Sequence, residues 1–265
     1  IRKTLERLGI SFDHFFNEHS LYTDGKIDQV VAALRSAGLV YEQEGALWFK
    51  TSALGLEKDK VIVKSSGEPT YRLPDIAYHR NKRERGFRHV IDLWGPDHHG
   101  YVPRMTAALL ALGLEPDFFS VLIVQQVNLL SGGQPVKMSK RAGEFITLRD
   151  LMDEVGADCA KFFFLVRSTS AHLDFDLDLA KRQNDENPAY YVQYAHARIA
   201  PIRRFAAERG LRPAAAGEGV ALRDPAERTL ARRLAAFPEV VRGAALAREP
   251  HRLPAYLQET AAIFH

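Results

Sequence analysis

The run HVIDLWGPDHHG at residues 89–100 places an apolar strand directly before a turn rich in glycine, acidic and imidazole side chains. Apolar residues then recur at helical spacing over Tyr101–Leu112, and another apolar run of strand length follows at Val121–Val127. The order strand, helix, strand predicts parallel strands joined by a crossover helix. With a further predicted strand at Lys60–Lys64, we expect an α/β fold from Ile1 to about Leu130.

The turn Trp94–Gly100 is a candidate binding pocket. Ligands of open parallel sheets bind beyond the carboxyl ends of the strands, and this turn follows a predicted strand. Asp97, His98 and His99 could also ligate a metal, but adjacent side chains diverge on most backbones and no cysteine accompanies them. We therefore expect an organic ligand here and no protein-bound structural metal.

A second candidate site is the loop Lys137-Met138-Ser139-Lys140, which lies just after Gly132-Gly133. Lysine carries a compact charge on a flexible stem, so two lysines and a hydroxyl can follow phosphate oxygens as charge develops on them. The segment is typical of a loop that grips the triphosphate of ATP. A solvated basic turn is the alternative.

The remainder of the chain carries helix signals. Thr147 with Asp150 predicts one helix start, Asn187-Pro188 a second, and Asp224-Pro225-Ala226-Glu227 a third with a capping box. Pro201 predicts a kink or break in the second of these helices. We expect a helical bundle whose core includes Tyr191, Tyr194, Leu230, Leu234 and Phe237.

Composition limits the function classes. The chain has 265 residues, 46% of them hydrophobic, which suffices for real cores, and no apolar run reaches the length of a membrane span. A single cysteine, Cys159, excludes an internal disulfide and fits the cytoplasm. Residues 181–265 hold 14 basic and 9 acidic side chains, and 13 of those cations are arginine. Such a segment suits either a nucleic-acid surface or solvated helix faces.

Four motifs occur together and in order. They are Tyr71 with Asp75-Ile76-Ala77-Tyr78, Gly95-Pro96-Asp97-His98-His99-Gly100, Lys137-Met138-Ser139-Lys140-Arg141-Ala142-Gly143, and Asn187-Pro188 with Tyr190-Tyr191-Val192-Gln193-Tyr194-Ala195-His196-Ala197-Arg198. In these motifs the chain resembles the arginyl-tRNA synthetases of the bacterial kind, a class I family. The resemblance extends over nearly the whole chain. It departs from the family at Pro96, where many relatives carry a small residue.

The resemblance implies a Rossmann-type catalytic domain, second half, followed by an all-α anticodon-binding bundle. It places the catalytic domain at residues 1–133, the lysine loop with a stem-contact segment at 134–180, and the truncated anticodon-binding domain at 181–265. The implied reaction joins arginine to tRNA(Arg) through an arginyl adenylate, with ATP and Mg²⁺. A monomer in the cytoplasm, without membrane contact, is expected.

The resemblance also assigns residue roles. Lys137, Ser139 and Lys140 are the implied catalytic residues, with Lys140 in the most direct contact with phosphate. Tyr71 and Asp75 would bind arginine, although an acid near a helix start can also act on the helix dipole alone. The implied ATP-binding set is Gly95, Asp97, His98, Lys137, Met138, Ser139 and Lys140. The implied tRNA contacts are Arg198, Arg203 and Arg204.

Two alternatives remain open. The chain begins and stops inside helical patterns and lacks the His-Ile-Gly-His-like tetrapeptide of class I synthetases, so we expect a fragment that is inactive alone. The first alternative is a tRNA-binding module without catalysis. The second is another class I synthetase, although one cysteine cannot supply the zinc sites usual in the cysteinyl and methionyl types.

Overall fold

The structure is a computed structural model that describes residues 1–136, 146–215, 218 and 221–265. It divides into two compact units, one formed by Phe12–Val124 and the other by Ile1–Ser11 with Gln125–His265. Each unit is described by itself. The lysine loop Lys137–Lys140 lies outside the described residues.

The elements follow the chain in this order. The helices are α1 (Arg2–Arg7), α2 (His19–Thr23), α3 (Lys26–Ser36), α4 (Arg72–Glu84), α5 (Val102–Ala111), α6 (Leu148–Val155), α7 (Ala157–Leu165), α8 (Leu177–Lys181), α9 (Pro188–Glu208), α10 (Pro225–Ala235), α11 (Phe237–Ala247) and α12 (Arg252–Phe264). The strands are β1 (Val40–Gln43), β2 (Ala46–Phe49), β3 (Lys60–Val63), β4 (Val90–Trp94), β5 (Phe119–Ile123), β6 (Val127–Ser131), β7 (Gln134–Pro135) and β8 (Leu173–Asp176). Short 3-10 helices span Thr51–Leu54 and Pro96–Tyr101.

Strand β4 and strand β5 form a parallel pair with α5 between them in sequence, which confirms the predicted strand, helix, strand order. Asp92 of β4 lies opposite Val121 of β5. The predicted strand Val121–Val127 was wrong in extent, because the run divides into β5 and β6, which belong to different sheets. Apolar runs predict strand character but not where a chain leaves one sheet for the next.

Strand β3 exists where predicted, but its expected place in the parallel sheet was wrong. It pairs antiparallel with β2 in the three-stranded sheet β1-β2-β3. The β1–β2 hairpin turns at Glu44 and Gly45, whose φ angles are 54° and 73°. Two positive φ angles match the twist of a two-residue hairpin turn, so local backbone geometry favours antiparallel pairing of β1 with β2.

One apolar core holds the unit Phe12–Val124 together. Leu34 of α3, Ile62 of β3, Leu73 of α4, Met105 of α5 and Phe118 before β5 are all almost completely buried in it. Removing such side chains from water is the main stabilising contribution of the packing, at about 25 cal/mol per Å² of apolar surface. The core thereby fixes α4 and α5 against β4, the elements that carry the candidate site.

The unit containing the helices of the second half confirms the predicted helix starts. Thr147 and Asp150 form a reciprocal capping box at α6, and Asp224 and Glu227 form another at α10. The Asn187 side-chain oxygen accepts backbone N–H bonds at the start of α9. Each such cap contributes roughly 1 kcal/mol by satisfying donors that the first helical turn leaves free.

Several predictions about this helical region were wrong. Of the predicted kink or break at Pro201, the break was wrong, because helix α9 continues through this residue. Tyr194, Leu234 and Phe237 were predicted as core, but they are 48%, 55% and 45% exposed. Phe237 opens α11 instead of belonging to the face of α10. Helical periodicity shows which residues share a face, whereas the packing partner that would cover the face is not encoded in the period.

The architecture is thus α/β sheets followed by helices, as the sequence predicted. None of the helices in the described part of the chain is both long and apolar enough to cross a bilayer.

Candidate active site

The candidate site lies where β4 ends, beside the first turns of α4. Asp75 occupies the first turn of α4, and its half-buried carboxylate lies near the Tyr101 hydroxyl, which lowers the pKa of that carboxylate. Burial raises the pKa of Asp75, against the lowering effects of the neighbouring His79 and Tyr101. A partly desolvated carboxylate of this kind gains most from a cationic ligand, because the ligand replaces the lost hydration.

Tyr101 is a site residue that sequence reasoning missed. It ends the 3-10 helix Pro96–Tyr101, and its ring stacks on Trp94 at 5.5 Å between centroids. Burial, followed by the charge of Asp75, raises the pKa of the Tyr101 hydroxyl, so this group remains a proton donor. The only sequence signal was its place at the end of the turn after β4.

Tyr71 reaches the same region but remains open to solvent. It precedes α4, its side chain is 65% exposed, and its ring centroid lies 6.2 Å from that of Tyr101. The Arg72 guanidinium lies 4.7 Å from the centroid of the Tyr71 ring. The structure therefore brings together the two residues predicted for arginine, Tyr71 and Asp75, with Tyr101 between them as a further wall.

His79, Asp92 and Lys82 form a hydrogen-bonded network that contacts the backbone of Asp75. Sequence reasoning missed this network as well. His79 is 2% exposed, with Nε2 at 2.8 Å from Asp92 Oδ2 and Nδ1 at 2.8 Å from the Asp75 carbonyl oxygen. Lys82 donates from Nζ to Asp92 Oδ1 at 2.8 Å. The available signal was an acid, Asp92, inside an otherwise apolar strand.

The electrostatics of Asp92 follow from these contacts. Burial alone would raise its pKa, but the hydrogen bonds and charges of His79 and Lys82 outweigh burial and hold the pKa at about 2. Both ring nitrogens of His79 lie within hydrogen-bond distance of an oxygen atom, one of the Asp75 backbone and one of the Asp92 carboxylate. The network ties α4 to β4 through His79 and Lys82, which both contact Asp92.

The turn residues predicted to bind ATP are exposed. The side chains of Asp97 and His98 are 78% and 56% exposed, and His98 Nε2 lies 3.6 Å from Asp97 Oδ2. Gly95 has no side chain to block the approach, and a Cβ there would lie 2.8 Å from Asp97 Oδ1. These three residues share one turn after β4 and stay candidates for nucleotide contact. Within the described ranges, no three His, Cys, Asp or Glu side chains cluster as metal ligands.

The residues predicted to contact tRNA lie on α9. Arg198, Arg203 and Arg204 are all exposed. Arg198 is engaged, because its Nη1 lies 3.0 Å from His265 Nδ1 and its guanidinium lies over the Phe264 ring. Lys137, Met138, Ser139 and Lys140 fall outside the described residues, so their predicted roles stay predictions.

Comparison with known proteins shows which family this chain matches. A family model described as "tRNA synthetases class I (R), catalytic domain" matches residues 1–163, and one described as "DALR anticodon binding domain" matches residues 192–265. Proteins named arginine–tRNA ligase from Heliobacterium modesticaldum and Geobacter sp. are 53% and 50% identical to all of this chain. In both cases the match covers 48% of the relative, so the chain spans about half the length of these curated relatives.

Solved structures agree with this family. A Campylobacter jejuni structure assigned as an arginyl-tRNA synthetase is 35% identical with a TM-score of 0.88, covering 100% of this chain and 57% of that one. A Thermus thermophilus arginyl-tRNA synthetase has a TM-score of 0.73 at 22% identity, covering 99% of this chain and 53% of that one. The second likeness concerns the fold alone.

Proposed function

The chain belongs to the arginine type of the class I tRNA synthetase family, and from this premise we propose that the protein containing it is an arginine–tRNA ligase. In the first step an arginine carboxylate oxygen attacks the α-phosphorus of ATP, and the bond from that phosphorus to the bridging oxygen breaks, releasing pyrophosphate. In the second step a terminal ribose hydroxyl of tRNA(Arg) attacks the arginyl carbonyl carbon and AMP leaves. ATP enters as its Mg²⁺ complex and is a substrate.

The half-buried Asp75 carboxylate is the observation that supports this proposal. A guanidinium donates two parallel hydrogen bonds to a carboxylate, which favours arginine over lysine by geometry as well as charge. The Tyr101 hydroxyl lies near the same carboxylate and lowers its pKa, which favours the anionic form that a guanidinium needs. Exposed Tyr71 completes the wall on the solvent side.

The remaining roles complete the proposal. Lys137 and Lys140, with Ser139, stabilise charge on the departing pyrophosphate, while Met138 and the turn residues contribute to the ATP site. The proposed nucleotide contacts of the turn are Gly95, Asp97 and His98. On the helical side, Arg198, Arg203 and Arg204 bind tRNA. We propose catalytic, stem-contact and anticodon-binding segments at 1–133, 134–180 and 181–265, in a cytoplasmic monomer.

Charging assays with the complete polypeptide test the role of Asp75. Asp75→Asn keeps the shape but removes the charge, so kcat/KM for arginine should fall by roughly 30- to 150-fold, corresponding to about 2–3 kcal/mol. Asp28→Asn is the matched control, since Asp28 is also an acid in a first helical turn but is exposed. Equal, small losses in both variants would reduce Asp75 to a helix-dipole role. Unchanged discrimination against lysine in Asp75→Asn would refute the pocket assignment.

A further inference from the structure

Two adjoining cavities in the unit Phe12–Val124 are lined by cations that the proposed reaction has not used. The larger, of about 360 Å³, is lined by Lys58, Lys60 and Arg104, with Glu57 as its one acid. The smaller shares Lys60 and Arg104 with it and adds Arg72. We call Lys58, Lys60, Arg72 and Arg104 the cation cluster. Its members come from the β3 region, α4 and α5.

The cation cluster forms no ion pair within the described part of the chain, although Glu57 lines the same cavity. None of its four side chains forms an ion pair or a side-chain hydrogen bond there, and Arg72 Nε is buried without a hydrogen-bond partner. Other cations of the same unit are paired, as Lys82 is with Asp92 and Arg83 with Glu115. Gathering unpaired like charges is unfavourable unless an anion binds among them.

The cation cluster adjoins the candidate arginine site. Tyr101 lines the smaller cavity, and its hydroxyl lies near the Asp75 carboxylate. The larger cavity also reaches Gly100, at the end of the turn after β4. An anion held by the cluster would therefore lie close to the position where arginine is activated.

We propose that the cation cluster binds phosphodiester groups near the 3′ end of an RNA strand, and this rests on the proposed arginine–tRNA ligase function. The second step needs the terminal ribose hydroxyl at the arginyl carbonyl carbon, so the last backbone phosphates must pass beside the arginine pocket. Arginine grips phosphate through paired N–H donors, and lysine neutralises it as a point charge. Contacts to phosphate set the position of the strand without reading its bases.

The volume of the larger cavity is compatible with a strand that carries more than one phosphate. Its volume of about 360 Å³ equals roughly twelve waters at ~30 Å³ each. That is room for more than one phosphate group. The same chemistry could hold ATP or pyrophosphate, and the experiment below separates these sources.

The test uses the complete polypeptide with two pairs of substitutions. Lys58→Gln with Arg104→Gln removes two exposed charges of the cluster. Lys64→Gln with Arg35→Gln removes two exposed charges of the same unit that are instead paired, with Glu68 and Glu42. Because net charge is matched, the comparison isolates position. Circular dichroism and thermal unfolding verify that both variants fold.

The measured quantities are the Kd for tRNA across a range of salt concentrations and the KM for ATP. We expect the cluster variant to bind tRNA about tenfold more weakly than the control at low salt, with its log–log salt slope reduced by about 1.4 for two single-strand contacts. The KM for ATP should stay within about twofold of the control, since phosphate positions of ATP are not assigned to the cluster. With a tRNA that lacks its last three nucleotides, the two variants should bind equally.

Three results would count against binding of 3′-end phosphodiester groups by the cation cluster. Equal tRNA affinity and equal salt slopes in the two variants would overturn the proposal. A raised KM for ATP with unaltered tRNA binding would assign the cluster to a triphosphate. A loss that persists with the shortened tRNA would overturn the 3′-end placement. If the unaltered protein fails to charge arginine, the proposed function falls, while the Kd comparison still decides whether the cluster binds RNA.

Discussion

Replacing Asp92 by asparagine should destabilise the unit Phe12–Val124 in a pH-dependent way. Asp92 holds buried His79 and Lys82, whose side chains are 3% and 14% exposed. The pKa of Asp92 drops from 3.8 to about 2, a difference of 3.8 − 2 = 1.8. At about 1.36 kcal/mol per pKa unit, the ionised carboxylate contributes about 2.5 kcal/mol at pH 7.

The pH dependence has a definite sign. A depressed carboxyl pKa stabilises the folded state fully above the unfolded pKa of about 3.9, and this contribution disappears as pH falls through about 2. Linkage gives about 1.3 kcal/mol remaining at pH 3. The substitution also leaves the mostly buried Lys82 without its anion and His79 without its carboxylate partner, which brings the loss at pH 7 to between about 2.5 and 5 kcal/mol.

Urea unfolding followed by tryptophan fluorescence measures this loss. The chain has two tryptophans, Trp48 and Trp94, and both lie in the unit that contains Asp92. The free energy of unfolding should fall by at least about 2.5 kcal/mol in Asp92→Asn at pH 7, and by about half of that at pH 3. Asp117→Asn, an exposed acid of the same unit, should change it by less than about 0.5 kcal/mol. A loss in Asp92→Asn that is the same at both pH values would refute the charge-network reasoning.

Three further outcomes are expected. Lys140→Ala should slow single-turnover adenylate formation by roughly 100-fold and leave the Kd for arginine unchanged; a raised Kd with normal chemistry would contradict this role. Because the pKa of Asp75 is raised by burial, arginine affinity should weaken as pH falls toward that pKa, and calorimetry should find no such trend in Asp75→Asn. Thr147→Ala removes the reciprocal cap with Asp150 and should cost about 1 kcal/mol in chemical unfolding, and an unchanged midpoint by circular dichroism would contradict the cap.

Local signals predicted the elements of this fold well. The apolar run before Gly95 gave β4, and the pairs Thr147 with Asp150 and Asp224 with Glu227 gave two capped helix starts, because caps act within one turn. The sheet to which each strand belongs was harder to predict from the sequence. Lys60–Val63 has a strand pattern in either pairing, and its antiparallel partner β2 depends on how the chain returns between Phe49 and Lys60, which the pattern does not show.

The residues of the candidate site also fall into two groups, those that the sequence predicted and those that it did not. Asp75 and Tyr71 were predicted because a family resemblance carries them, since spacing alone left a helix-dipole role open for Asp75. Tyr101, His79 and Asp92 were missed, because their contacts depend on how α4 packs over β4 and on burial, neither of which is a short-range property. The cavity beside Lys58 and Arg104 likewise arises only when separate elements assemble.

The most direct test of the central claim is ATP–pyrophosphate exchange by the complete polypeptide with each of the twenty amino acids, in the presence of tRNA. The account predicts exchange with arginine and at most trace exchange with lysine or any other amino acid, because the half-buried carboxylate of Asp75 suits a guanidinium. Exchange driven by a different amino acid, or none with arginine, would contradict it.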